Sequence, residues 1–326
     1  MFAVWQYRKN QVPAFFQLQG QTMATTYHVS YFDKYERNFQ ASIDSLLVLV
    51  NKSINNYDSS SEISQFNASA SGIRFGLPYL KQPLLVAQRV FIASAGAFDP
   101  TVMPLINAWG FGPDKTARLD SATINSLLTI IGFEKVKLTA DSVLKLDSRI
   151  HLDFGGIGQG YGADVIAQFL KDKGIKDMLV ELGGEGLAWG KNLKTNKPWE
   201  IGILDPNSTH NNQFFKAYAS LSGRAFTTSG NYFNYKIING KKYGHTINPK
   251  TGYPVDSPLL SVTVFADDCT TADAWGTAFM VMGHTRAMEV VMKHPELDIL
   301  IFYTGEDGSF QSFATEGIRP FLTINP

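Results

Sequence analysis

Asp273 and Thr277 stand four residues apart in DCTTADAWGTAF, so on a helix their oxygens fall on one face. A carboxylate and a hydroxyl together suit a hard cation such as magnesium, which takes oxygen ligands and keeps waters and phosphate oxygens for its other positions. The pair also fits a plainer role, an Asp near a helix N-terminus favouring the dipole. A second stretch with chemical potential is LDFGGIGQGYGADVIAQFLKDKGIKDMLVELGGEG, residues 152–186. It sets Gly155, Gly156, Gly158, Gly160 and Gly162 ahead of Val165, Ile166, Phe169 and Leu170 at helical spacing. Free N–H groups at such a helix start, with the positive end of its dipole, suit an anion, so a phosphorylated ligand is expected here. The run from Gly158 to Ala163 also satisfies the dinucleotide pattern G-x-G-x-x-[GA], with Glu181 placed as the later acidic residue. Against that reading, Asp153 interrupts the preceding strand and a long segment comes before the unit. Glycines serving only a tight crossover are the plainest alternative.

His245 stands in KKYGHTINPKTGYPVD, residues 241–256, a turn-rich segment of the kind where function concentrates. A solvent-exposed bystander histidine fits the same composition. Met23 follows a glycine break at Gly20, and core filling is the common fate of methionine. Tyr57 lies among polar residues in NNYDSSSE, either as a surface tyrosine or as an aromatic waiting for a planar ligand. The 6 histidines show no zinc spacing, and neither a G-x-x-x-x-G-K-[ST] loop nor a G-x-S-x-G elbow occurs.

The elements that must hold these residues show in the patterning. Residues 14–32 read as a strand, the break at Gly20, and a second strand with Tyr27, Val29 and Tyr31 alternating. Residues 39–51 read as a helix with Ile43, Leu46, Leu47 and Val50 inward, then a polar loop whose Ser61 caps EISQFN. Residues 84–93 and 124–131 read as helices, and VKLTADSVLKLD as a hairpin turning at Asp141 and Ser142. Ile150, Leu152 and Phe154 predict a strand before the glycines; 178–180 predicts one after the helix, stopped by Gly183 and Gly184. Residues 199–206, 217–222 and 259–267 read as further strands. Asp268 or Thr270 caps the helix that carries Asp273 and Thr277.

The 326 residues allow two lobes or one large domain, with a lobe boundary placed near 113–120. With 29 basic and 29 acidic residues, net charge gives no drive toward nucleic acid. Cys269, the sole cysteine, excludes an intrachain disulfide and a multi-cysteine zinc site. No run approaches the roughly 18 apolar residues of a membrane span. The N-terminal MFAVWQYRKNQVPAFF lacks a signal-peptide pattern, so the expectation is either a cytoplasmic protein or a targeting segment ahead of this chain.

Together, GQTMATTYHVSY, NYDSSSEISQFN, GAFDPTVMPLINAWGFG, LDFGGIGQGYGAD with LVELGGE, TTSGNYFNY, YGHTINPKTGYPV and DCTTADAWGTAFMVMG resemble the FAD:protein FMN transferases, the ApbE-type flavin transferases. The resemblance runs over most of the chain, in the expected order. It implies an α+β fold of duplicated, T-fold-like units with antiparallel sheets and packed helices, forming one domain with FAD in a cleft between two lobes. It implies magnesium-dependent transfer of FMN from FAD to a threonine hydroxyl of a partner flavoprotein, such as a redox-pump subunit, with release of AMP. By the same resemblance Asp273, Thr277 and the Gly158 carbonyl hold the metal, and Met23 and Tyr57 contact the flavin ring. Ala97, Phe98, Asp99 and Glu185 line the FAD pocket, and His245 sits near the pyrophosphate as general base.

Two departures stand out. Gln159 occupies the place of a lysine in the family's GGIAKG loop, and Ala24 replaces the glycine of Met-Gly-Thr-Thr. An FAD pyrophosphatase giving FMN and AMP, or a flavin-binding protein without turnover, are the alternative readings; no acceptor pattern within the chain points to self-modification. The family is commonly exported and lipid-anchored through an N-terminal cysteine, which implies a periplasmic or cell-envelope location, with a cytoplasmic one as the alternative.

Overall fold

The computed structural model of the chain describes residues 13–113, 120–209, 211–231, 235–238 and 241–325. Most of the expected lobe boundary at 113–120 lies outside the described residues. The fold is built from one pattern used twice: two strands, two helices, two strands. The first copy runs β1 (Ala14–Thr22), β2 (Thr25–Asp33), α1 (Gln40–Ile54), α2 (Gly158–Asp172), β3 (Met178–Leu182) and β4 (Glu185–Trp189). The second runs β5 (Arg224–Gly230), β6 (Leu259–Ala266), α3 (Cys269–Met282), α4 (His284–Val291), β7 (Asp298–Thr304) and β8 (Phe310–Ala314).

These strands form a single sheet in the order β1 to β8, every neighbouring pair antiparallel. This is the expected α+β class, and an antiparallel sheet removes the dinucleotide reading of the glycines, which requires a parallel crossover. Period-2 patterning explains the faces. Tyr27, Val29 and Tyr31 of β2 and Met178, Val180 and Leu182 of β3 turn toward α1 and α2, packing on Ile43, Leu47, Ile166 and Leu170. In β6, Val262 and Val264 meet the helices while Phe265 faces the opposite side. There a three-stranded sheet of Trp199–Leu204, Phe215–Leu221 and Leu322–Ile324 covers it. Buried on both faces, β6 is apolar almost throughout.

Two insertions matter for the site. Residues 55–150 leave between α1 and α2 and share a core with the second copy, Phe66, Leu84, Phe98 and Phe133 clustering with Val264, Phe279 and Ile301. Between β5 and β6, Tyr235–Ile238 pairs with Lys241–Gly244 as a ribbon, so the front of the segment read as turn-rich is a strand.

Three further expectations are corrected. Gly20 is not the break: it lies inside β1, where a Cβ would come within 2.5 Å of the buried Tyr27 ring. The turn is Met23-Ala24, closed by Thr22 opposite Thr25, with φ of 49° and 57°. Positive φ at both central residues is the type I′ hairpin geometry that matches strand twist. Residues 150–154 form no strand; side-chain amides of Asn56 and Asn67 take the backbone groups of Leu152 and Phe154 instead. The polar run Thr227-Thr228-Ser229-Gly230, not read as a strand, is the core of β5 at the centre of the sheet.

Ala24 carries a Cβ in a conformation that costs an L-residue about 1–2 kcal/mol. Ala24→Gly should therefore raise stability by about 1 kcal/mol, offset in part by the added unfolded-state entropy of glycine. A thermal or urea melt checks it.

Candidate active site

The site begins where α2 and α3 cross. At Gly160 a Cβ would collide with the Cys269 carbonyl oxygen and stand 2.8 Å from the Cβ of Asp273. That contact lets each helix cap the other. Asp273, one turn into α3, accepts the Gly160 N–H at 3.0 Å. Asp164, in α2, accepts the N–H groups of Cys269 and Thr270, both at 2.8 Å. Asp268 supplies the usual N-cap of α3, accepting from Thr271 at 2.7 Å. One turn beyond Asp273, the Thr277 Oγ1 lies 2.5 Å from where a Gly156 Cβ would be. Asp273 and Thr277 therefore share the face of α3 that meets the glycine loop, as their spacing predicted.

The loop does not present the bare ring of donors expected for an anion. Gly158 N–H donates to the Phe154 carbonyl, Gly160 N–H is taken by Asp273, and Tyr161 N–H by the Ile157 carbonyl. A carboxylate thus takes one N–H of the helix start, and its charge would repel a second anion placed beside it.

Electrostatics agree. Burial raises the Asp273 carboxyl well above the ordinary Asp value, opposed by the Gly160 N–H and reinforced by Asp164. Burial, and after it the Asp273 charge, likewise raise Glu185 well above the ordinary Glu value. Glu185 is 6% exposed, and its Oε2 has no hydrogen-bond partner. No basic side chain pairs with either carboxylate among the described residues. Buried charges without a counter-ion are unstable, so a cation or protons must complete the site. Among the described residues no three His, Cys, Asp or Glu converge as ligands. The side-chain donors at the crossing are thus a carboxylate and a hydroxyl, an all-oxygen set that fits magnesium retaining waters and ligand phosphates.

The other candidates surround this centre unevenly. Met23 packs on α2, its Cε 3.2 Å from the Cβ position of Gly162. Gln159 lies across the loop against the β3–β4 turn, its Nε2 2.9 Å from the Cβ position of Gly183. Tyr57 is 73% exposed, and its hydroxyl reaches the Phe111 carbonyl at 3.4 Å. Ala97 and Phe98 are core residues, and Asp99 caps the following turn through the Thr101 N–H and hydroxyl. Ala95, Gly96 and Asp99, with Pro249 and Lys250 from the His245 loop, instead line a cavity of ≈ 420 Å³. His245 is exposed; its neighbour Thr246 donates to Asn231 at 2.9 Å, tying the loop to the end of β5. Ser229 of β5 in turn packs on Gly276 of α3.

A model of the ApbE family matches residues 23–301. The chain belongs to the ApbE family. A Vibrio cholerae protein named FAD:protein FMN transferase is 34% identical over 317 residues, covering 94% of this chain and 92% of that protein. The structure of flavin transferase ApbE from Vibrio cholerae matches with a TM-score of 0.84 at 32% identity, over 95% of this chain and 99% of that one. The apo flavinyl transferase ApbE of Pseudomonas stutzeri matches at 0.83 and 27% identity, over 96% and 98%. Within this ApbE fold, sequence reasoning passed over Asp164 and Asn56. A carboxylate capping a distant helix leaves no local signal, and neither does an amide holding a non-strand segment.

Two outcomes are expected. Gly160→Ala should destabilise the protein by about 1–3 kcal/mol through the forced clash, outweighing a gain near 1 kcal/mol in helix propensity; a denaturant titration checks it. Burial also raises Asp99 and Asp153, each from 3.8 to about 6. A group raised on folding holds its proton more tightly when folded, so its contribution is complete below about pH 4 and lost as pH rises through 6. Melting of metal-free protein should show this decline, and Asp273→Asn should make it shallower.

Proposed function

We propose that the chain moves the FMN half of FAD onto a threonine hydroxyl of a partner flavoprotein, with magnesium, releasing AMP. The observation that carries this reading is the meeting of Asp273 and Thr277 with the glycine loop, beside a Glu185 oxygen that lacks a partner. Asp273, Thr277 and the Gly158 carbonyl would hold the ion. Bound there, magnesium supplies charge neutralisation at phosphoryl oxygens, the largest need in displacement at phosphorus.

The chain's own residues do the rest. Met23 and Tyr57 offer a thioether and an aromatic face to the isoalloxazine ring. The rigid glycine loop brings backbone close to the phosphates, because side chains there would fill the space. His245 takes the proton from the acceptor hydroxyl at an imidazole nitrogen. The threonine Oγ–phosphorus bond forms as the bond to the AMP phosphate breaks. Gln159 gives a neutral amide in place of the ammonium of the family's GGIAKG loop, which would lower FAD affinity or transfer rate if that charge steadies the pyrophosphate.

The reading is tested with FAD, magnesium and a threonine-containing acceptor, scoring AMP by chromatography and acceptor mass. Transfer adds the FMN mass; AMP with free FMN alone would indicate hydrolysis, and intact FAD would indicate a binding protein. Asp273→Ala should lower AMP release more than about 100-fold with the fold retained, about 3 kcal/mol of lost stabilisation. His245→Ala should slow transfer far more than it weakens FAD binding, measured by flavin fluorescence. The reverse pattern would make His245 a binding residue.

A further inference from the structure

We propose that Asn56 is a positioning residue for the cation site: its side-chain amide, bonded at both ends, sets where the glycine loop stands against α3. The inference rests on the reading of Asp273 and Thr277 as cation ligands.

No sheet fixes the segment that leads into the loop. Asn56 Nδ2 donates to the Leu152 carbonyl at 2.7 Å, and the Phe154 N–H donates to Asn56 Oδ1 at 3.0 Å. A primary amide holds a donor and an acceptor in one plane, so it can take two backbone groups that a strand partner would otherwise satisfy. Asn56 is itself held between tied neighbours. The Tyr57 N–H donates to Asn55 Oδ1 at 2.8 Å, and the Asn55 carbonyl accepts from Ser61 Oγ at 2.7 Å. Beyond the clamp, the Phe154 carbonyl accepts the Gly158 N–H at 2.8 Å and the Ile157 N–H at 3.2 Å. Phe154 therefore hangs from Asn56 on one side and holds the first turn of α2 on the other. Between Phe154 and Gly158, Gly156 stands against the Thr277 hydroxyl. Ile54, two residues before Asn56, packs on the same turn, its Cδ1 3.4 Å from the Cβ position of Gly158.

Asn67 supplies the comparison. Its amide accepts the Leu152 N–H at 2.7 Å and donates to the Leu152 carbonyl at 2.9 Å, while Lys145 Nζ donates to its main-chain carbonyl at 3.0 Å. Asn67 thus makes as many side-chain bonds to this segment as Asn56, but among the described residues none reaches past Leu152. Without Asn56, Leu152 stays held and only the Phe154 N–H loses its acceptor. A backbone donor in that state turns toward another acceptor, and Phe154 carries with it the carbonyl that takes the Gly158 N–H. Magnesium demands near-ideal octahedral geometry at about 2.0–2.1 Å, so a small shift of the loop against Thr277 is felt in affinity before it is felt in the fold.

The test is a Mn2+ titration of the full chain with FAD present, free Mn2+ read by electron paramagnetic resonance, beside a thermal melt of each variant. Asn56→Ala and Asn67→Ala each remove two hydrogen bonds to one segment, so both should melt earlier than wild type. Asn56→Ala should weaken Mn2+ binding about tenfold or more, whereas Asn67→Ala should change it less than about twofold. Should Asn56→Ala not fold, Asn56→Gln carries the test. It keeps the amide one methylene farther out, so Phe154 must move and Mn2+ should weaken while the melt stays near wild type. Equal weakening by the two alanine variants, or unchanged Mn2+ affinity in a folded Asn56 variant, would overturn the role of Asn56. In that second case the cation reading still stands, because wild-type protein binds the ion. If wild-type protein binds FAD but no Mn2+, both fail.

Discussion

The crossing of α2 and α3 at Gly160 is the constraint on which the rest depends. Only glycine lets the Cys269 carbonyl and the Asp273 Cβ approach that closely. At that distance each helix N-terminus receives a carboxylate from the other, Asp273 on Gly160 and Asp164 on Cys269 and Thr270. Each such cap contributes about 1 kcal/mol, and more where the acceptor is charged and buried. The same arrangement concentrates negative charge in a buried place with no basic partner among the described residues. Stability gained at the helix ends is thus offset by desolvation, an imbalance that the proposed cation would relieve.

The duplicated two-strand, two-helix, two-strand pattern explains why the crossing sits where ligands arrive. Each copy contributes one of the two helix N-termini, and the continuous antiparallel sheet fixes them side by side. The two insertions carry the remaining candidates: residues 55–150 hold Tyr57 and Asp99, and the segment between β5 and β6 holds His245. The Met23-Ala24 turn, with both residues at positive φ, belongs to the same economy. Its strained backbone is held by the β1–β2 ladder and presents Met23 to α2.

Much of this was legible in the residues. Period-2 and helical spacing located β2, β3, β6 and α2, and the four-residue step from Asp273 to Thr277 placed both oxygens on one face. What patterning missed has physical causes. Thr227 to Gly230 lie in a central strand because Gly276 and β6 hem them in, and their polar side chains lack the apolar alternation that marks a strand. Residues 150–154 alternate like a strand, but their backbone partners are asparagine side chains distant in sequence. Gly20 read as a break because glycine usually marks one; its purpose is room for the Tyr27 ring. The reciprocal caps and the unpartnered Glu185 oxygen depend on tertiary contact and leave no trace along the chain.

The central claim is that the helix crossing is a cation seat. A crystal grown with FAD and manganese in place of magnesium tests it most directly through the anomalous signal of the ion. The account predicts one peak within coordination distance of an Asp273 carboxylate oxygen, Thr277 Oγ1 and the Gly158 carbonyl, on the side of the phosphates. Ordered FAD phosphates with no ion at that position, or an ion bound only elsewhere, would contradict it.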